Sequence, residues 1–121
     1  MSADIPALTT ANDKRRHERR ALRSQAVLLL PGGQSFPVQT FDISIGGVGV
    51  LAPAAARVGT RLAIRVTLPM RPSGQTTFDA IVTVAHSMLS GREEGFKVGL
   101  TFTTLEPRAE SAIRQYIALH S

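Results

Sequence analysis

From Arg61 to Leu68 the chain alternates strictly. Leu62, Ile64, Val66 and Leu68 are apolar, and Arg61, Ala63, Arg65 and Thr67 stand between them. Successive side chains of an extended strand point to opposite faces, so this run predicts a strand with one buried face. The pattern recurs along the chain. Ala26 to Leu30 (AVLLL) is a short apolar run ended by Pro31-Gly32-Gly33, which reads as a strand and a hairpin turn. In Phe36 to Ile45 (FPVQTFDISI), Phe41, Ile43 and Ile45 share one face, which places Asp42 and Ser44 side by side on the other, out of the core. Pro37 belongs at the start of that strand or on an edge. Gly46-Gly47 permits a bend, and Val48 to Leu51 resumes an apolar strand. After a loop over Ala52 to Thr60 come the alternating run and a turn at Pro69 to Gly74 (PMRPSG). Thr77 to Met88 is a long strand with Phe78, Val82 and Val84 on one face, and His86 in phase with them as a packed histidine. Ser90 to Gly95 (SGREEG) closes a second hairpin before Phe96, Val98, Leu100 and Phe102 alternate in the last strand.

From Glu106 the period changes. Pro107 suits the first helical position, with Glu106 or a preceding Thr near the cap. Ala109, Ala112, Ile113, Tyr116 and Ile117 then form one apolar stripe at helical spacing. About six short antiparallel strands and a terminal helix argue a sandwich or a barrel, and closing the sheet would remove its exposed edges. The 121 residues are most simply one domain.

The charge is not spread over this body. Lys14 to Arg23 (KRRHERRALR) holds six of the fourteen basic residues and one acid, Glu18; the remaining eight basic residues and eight acids cancel. The formal +5 of the protein is therefore the charge of one ten-residue arm. An excess so localised reads as a device for gripping an anion, or as a solvated tail. Arg15 and Arg19, Arg16 and Arg20, and Arg19 and Arg23 are each four apart, on one side in a helix or a strand alike. Such pairs repel one another until an anion sits between them, so the arm is expected to be loose when empty. Met1 to Asp13 reads as a flexible lead-in. With no Trp, one Tyr and five Phe, a broad base-stacking platform is disfavoured. There is no cysteine, no secretory signal in the first dozen residues and no run long enough to span a bilayer, which together imply a cytoplasmic protein without membrane insertion.

The arm contains R-x-x-x-R within Arg15 to Arg19 (RRHER), and the bend contains D-x-S-x-x-G from Asp42 to Gly47 (DISIGG). In this order, ahead of a β-rich body ending VGLTFTTLEPRAESAIRQYI, they resemble the PilZ domain family, receptors for the bacterial second messenger cyclic di-GMP. The resemblance covers Lys14 to about Leu119. It implies a mainly β fold: a six-stranded antiparallel barrel of the split-barrel kind, with a C-terminal helix and a flexible N-terminal arm. The segments are then a lead-in over 1–13 and one domain over 14–121, divided into arm 14–23, barrel 24–103 and helix 106–120. It implies further that the arm folds over the ligand against the barrel, and that the signal passes to an unidentified downstream protein.

The residue chemistry suits such a ligand, which has two phosphates and two guanines. An Arg fork matches phosphate oxygens or guanine O6 and N7, and its plane stacks on a purine. By the resemblance, Arg15 and Arg19 are the paired arginines and Arg16 a neighbour that shares the work. Arg20 stands where many members carry an apolar residue, so the registers Arg16/Arg20 and Arg19/Arg23 remain open, with Arg20 and Arg23 as additional contacts. Asp42 accepts from the Watson–Crick edge of guanine, Ser44 offers a hydroxyl, and Gly46 and Gly47 leave room at the bend. Asp and Ser at a bend also bond their own backbone, and a tight turn alone explains the glycines. His17, His86 and His120 are scattered without metal spacing, and no nucleophile elbow accompanies Ser44, which argues against a metal site, a cofactor and catalysis. The competing reading is a small basic barrel that binds RNA or DNA non-specifically through the same arm.

Overall fold

The structure, a computed structural model, describes residues 18–70, 73–91 and 95–120. These form β1 (Arg20–Ala21), β2 (Gln25–Leu29), β3 (Ser35–Ile43), β4 (Gly47–Ala52), β5 (Arg61–Pro69), β6 (Gln75–Leu89), β7 (Phe96–Thr104) and α1 (Pro107–Leu119). The ladder runs β3-β2-β5-β6-β7-β4, and β4 pairs back onto β3, closing a six-stranded antiparallel barrel. β1 lies outside the ring: Arg20 and Ala21 pair with Ile43 and Asp42, beyond the stretch of β3 that β2 occupies.

The alternating run became β5 as its period requires, with Leu62, Ile64, Val66 and Leu68 buried and the residues between them outward. Val48, Val50, Val82, Val84, Val98 and Ile43 join them in a core dominated by β-branched side chains, which pack well on a pleated surface. Gly33 and Gly74, at φ of 91° and 90°, take the left-handed conformation in the turns after β2 and before β6. Pro37 sits inside β3 opposite Val27, but the β4 ladder begins only at Gln39, so the missing N–H falls on an edge.

The pleat slips in three places, between Thr40 and Asp42, Ile81 and Val82, and Val84 and His86, and the first and last of these move residues singled out from the sequence. The β3–β4 register shifts between Thr40 and Asp42, a bulge that puts Phe41 and Asp42 opposite Gly49. The phase therefore inverts: Val38, Thr40 and Ile43 are buried, and Phe41 is not the inward residue that alternation from Ile43 and Ile45 implies. A buried Thr40 hydroxyl is tolerated because it donates to the Leu22 carbonyl at 2.6 Å and accepts from the Ser24 N–H at 3.0 Å. The β6–β7 register shifts between Val84 and His86, so His86 is exposed on the outer face and is not a packed core histidine. One extra residue per bulge suffices to reverse the face of everything beyond it.

Helix α1 begins at Pro107 with Glu106 as N-cap, although no side chain caps it, and it buries the expected stripe from Ala109 to Ile117. It lies against β5 and β6. Tyr116 donates its hydroxyl to the Ala21 carbonyl at 2.8 Å, stacks on His120 with ring centroids 4.1 Å apart, and so ties the helix to β1. The segment Arg20 to Arg23 is thus paired to the barrel and pinned by the helix without any ligand, contrary to the expectation of an arm loose throughout. Lys14 to His17 lie outside the described residues.

Burial raises the Tyr116 phenol above its ordinary value. Below about pH 10 the phenol is neutral folded or unfolded. Above it the unfolded chain ionises first, so stability must fall with rising pH until the folded pKa is passed. Urea denaturation across pH 9 to 11 should show this limb, and Tyr116→Phe should flatten it while costing about 1–3 kcal/mol at pH 7 through the stranded Ala21 carbonyl. A pH dependence unchanged in the variant would contradict the assignment.

Candidate functional site

The bulge and the bend after it build a polar corner. Beyond Ile43 the chain turns, and the Ser44 hydroxyl accepts from the N–H groups of Gly46 at 3.0 Å and Gly47 at 3.2 Å. The Ser44 N–H donates to the Gly47 carbonyl at 2.8 Å. Ser44 is fully buried, so it does not stand outward beside Asp42 as the alternation suggests. Its first task is the backbone of the turn.

Arg19 joins the two. Its Nε donates to Asp42 Oδ2 at 3.0 Å and its Nη2 to Oδ1 at 3.1 Å, the parallel fork that an Arg makes on a carboxylate. Its Nη1 reaches Ser44 Oγ at 3.5 Å. Arginine, carboxylate and serine, 23 and 25 residues apart in the chain, thus meet in one contact set. The Arg19 and Asp42 side chains keep 47% and 24% of their exposure, so solvent screens the pair and its net worth is about 0–1 kcal/mol.

The two glycines of the bend do not use unusual backbone freedom, since neither has a positive φ. Gly47 is required by close approach: a Cβ there would run into the Leu100 carbonyl of β7. Gly49, which the motif reading passed over, has the same kind of constraint, because a Cβ would meet the Phe41 ring and Asp42 Oδ1. Gly49 pairs with Gly99 of β7, and Gly99 pairs with His86 of β6. A Cβ at Gly99 would strike the His86 imidazole. A row therefore crosses four strands, Asp42-Gly49-Gly99-His86, in which two rings lie over two bare backbone positions. Lys97 Nζ sits 5.3 Å from the Phe41 ring centroid, a cation over the face of that ring. The sequence signal for this floor was the glycine facing each bulge, and it is readable only once the register is known.

The other arm arginines differ. Arg20 donates to Glu18 at 2.8 Å and to the Arg19 carbonyl at 3.0 Å. Arg23 lines a separate shallow depression with Gln25, Pro37 and Gln39. Arg15, Arg16 and His17 lie outside the described residues. Among those described, no cluster of His, Cys, Asp and Glu could hold a metal ion, and no helix is long and apolar enough to cross a membrane.

Comparison with known proteins agrees with this architecture. The PilZ domain model matches residues 13–119. Among solved structures, the Bacillus subtilis inhibitor of motility MotI/DgrA superposes with a TM-score of 0.78 at 17% identity, over 87% of this chain and 50% of that one. The Escherichia coli YcgR PilZ domain with c-di-GMP gives 0.61 at 22% identity, over 88% of this chain and 91% of that one. YcgR in complex with c-di-GMP gives 0.66 at 22% identity, over 88% of this chain and 45% of that one. The chain thus spans about half the length of the first and third of these structures. At such identities the likeness is one of fold. No curated protein matches the chain by sequence.

The corner should matter to folding before it meets any ligand. Ser44→Ala strands two turn N–H groups and should cost about 1–3 kcal/mol. Gly47→Ala forces β4 and β7 apart and should cost about 1–3 kcal/mol or more. Urea midpoints of the ligand-free proteins check both, and unchanged midpoints would contradict these structural roles.

Proposed function

Because the chain belongs to the PilZ family, we propose that it is a cyclic di-GMP receptor that holds its ligand between the arm and the Asp42 corner. PilZ domains are receptors and not enzymes, and c-di-GMP is the bound ligand in two of the neighbouring structures. The observation that carries the proposal for this chain is the Arg19–Asp42–Ser44 contact, which gathers residues of both motifs at one barrel surface.

The chemistry runs as an exchange of partners. In the empty protein Arg19 and Asp42 neutralise one another. The ligand offers each a better match: a phosphate or the O6/N7 edge of guanine for the arginine fork, and the guanine donors for the carboxylate. The half-exposed pair is weak enough to be opened at little cost. The Phe41 and His86 rings, laid over Gly49 and Gly99, give a purine a flat apolar surface beside the corner, and Lys97 adds a cation over Phe41. Gly47 and Gly46 act by shaping the turn. Arg15 and Arg16 complete the site from the arm. Arg23 faces another depression, which favours Arg15/Arg19 over the register Arg19/Arg23 and leaves Arg16/Arg20 to the titration below.

Output goes through a partner protein in the cytoplasm. Ala21, two residues from Arg19, is bonded to Tyr116, so a rearranged arm bears directly on α1. Titration calorimetry with cyclic di-GMP is the test. The wild type should bind, and Arg19→Ala and Asp42→Ala should each weaken binding by about 1–3 kcal/mol, roughly five- to 150-fold. Arg65→Ala, which breaks only the exposed pair with Asp79, should bind like wild type. Binding of generic single-stranded nucleic acid that is steep in salt and not competed by cyclic di-GMP would instead establish the nucleic-acid reading.

A further inference from the structure

The barrel has two unlike ends. At the end of Ile43 and Gly47, β1, the corner and α1 cover the core. At the opposite end an open hollow of about 350 Å³ lies against the core. Its walls are Leu28, Phe36, Leu62, Val84, Val98 and Leu100, and its rim is the Pro53 to Arg57 loop. That loop carries three consecutive alanines, Ala54 to Ala56, which are too small to fill the space beneath them. Phe36 remains 42% exposed beside the opening. An engineered apolar cavity of about 150 Å³ already takes up benzene, and ordinary small-molecule pockets begin at about 300 Å³.

The rim is fixed. The Ala56 N–H donates to Ser87 Oγ at 3.1 Å, the Gly59 N–H to the Val84 carbonyl at 2.8 Å, and the Thr60 N–H to the Arg57 carbonyl at 3.1 Å. Arg57 and Thr60 are the two polar residues in the lining. Arg19, Arg20, Arg65 and Arg114 each pair with an acid, whereas Arg57, like Arg23, Arg61 and Arg108, has no such partner among the described residues. A preformed apolar hollow with an arginine at its lip that has no acid partner among the described residues matches an apolar tail ending in an anion.

We propose that this barrel mouth binds a free single-chain amphiphilic carboxylate, with the tail in the cavity and the carboxylate on Arg57. The volume suits one chain, so a two-chain lipid in a bilayer does not fit. The site is separate from the Asp42 corner and does not depend on what the corner binds.

Titration of the full chain with dodecanoate below its micellar range, followed by methyl NMR, tests the proposal. Shifts should concentrate on Leu28, Leu62, Val84 and Val98. Arg57→Gln, an exposed change, should weaken dodecanoate about tenfold and leave uncharged dodecanol unaffected. Leu62→Trp, checked for folding by its methyl spectrum, should abolish binding of both; if it fails to fold, the wild-type shift map and the Arg57→Gln comparison decide. No saturable shifts, shifts centred elsewhere, equal loss of dodecanoate and dodecanol in Arg57→Gln, or the same methyl shifts produced by phosphatidylglycerol vesicles would each overturn the proposal.

Discussion

The pairing of β3 with β4 is the constraint on which everything else rests. Without it the sheet has two edges; with it the strands close on themselves and the core is enclosed. Closure by only six strands bends each of them sharply, and bulges relieve the bend. The bulge at Phe41 serves closure and at the same time throws Asp42 outward next to the turn. The glycine opposite it, Gly49, is small because Phe41 and Asp42 now share its face. Gly47 is small because β7 comes too near. The polar corner is therefore a by-product of shutting the barrel, which is why its residues have structural duties as well as chemical ones.

Arg19 adds a second layer. The pair it makes with Asp42 leaves both side chains partly exposed, so it orients the arm without locking it. A fully buried pair would have been costly to part and unsuited to an exchange of partners. Two residues on, the arm meets Tyr116, whose hydroxyl is held by a backbone carbonyl and whose ring is sunk in the core. The contrast is a loose electrostatic contact on the Asp42 side and a firm hydrogen bond on the helix side. Arg19 is thus connected, through a paired two-residue strand and one hydrogen bond, to helix α1.

Strands with an unbroken alternation were legible from the chain: β5 and the stripe of α1 stand where their periods put them. The failures share one cause. Period-two reading assumes a continuous pleat, and a bulge inserts a residue that composition does not mark. Phe41 and His86 were assigned inward for that reason, and Ser44 was assigned outward although its hydroxyl is drawn in by two backbone N–H groups. The meeting of Arg19 with Asp42 was not visible either. Each was matched to a ligand group separately, and only tertiary structure shows that each is the other's partner when no ligand is present. Gly49 and Gly99 carried no local signal, because what they accommodate lies on neighbouring strands.

The two ends of the barrel follow from how little a six-stranded ring of valine and isoleucine can fill by itself. A ring so narrow packs its middle with β-branched side chains, but each mouth needs a cover from outside the sheet. Helix α1, with its apolar stripe from Ala109 to Ile117, supplies one. The chain between β4 and β5 supplies the other with proline and alanine, residues that cover area but bring almost no volume. Larger side chains there would have packed the mouth and stabilised the protein, since unfilled apolar space forfeits dispersion contacts on one side. Keeping the loop small while tying it to β6 through Ser87 and Val84 maintains an open volume at a cost in stability. A hollow bordered by hydrogen-bonded backbone, next to an arginine with no acid partner among the described residues, is better understood as a receptacle than as a packing defect.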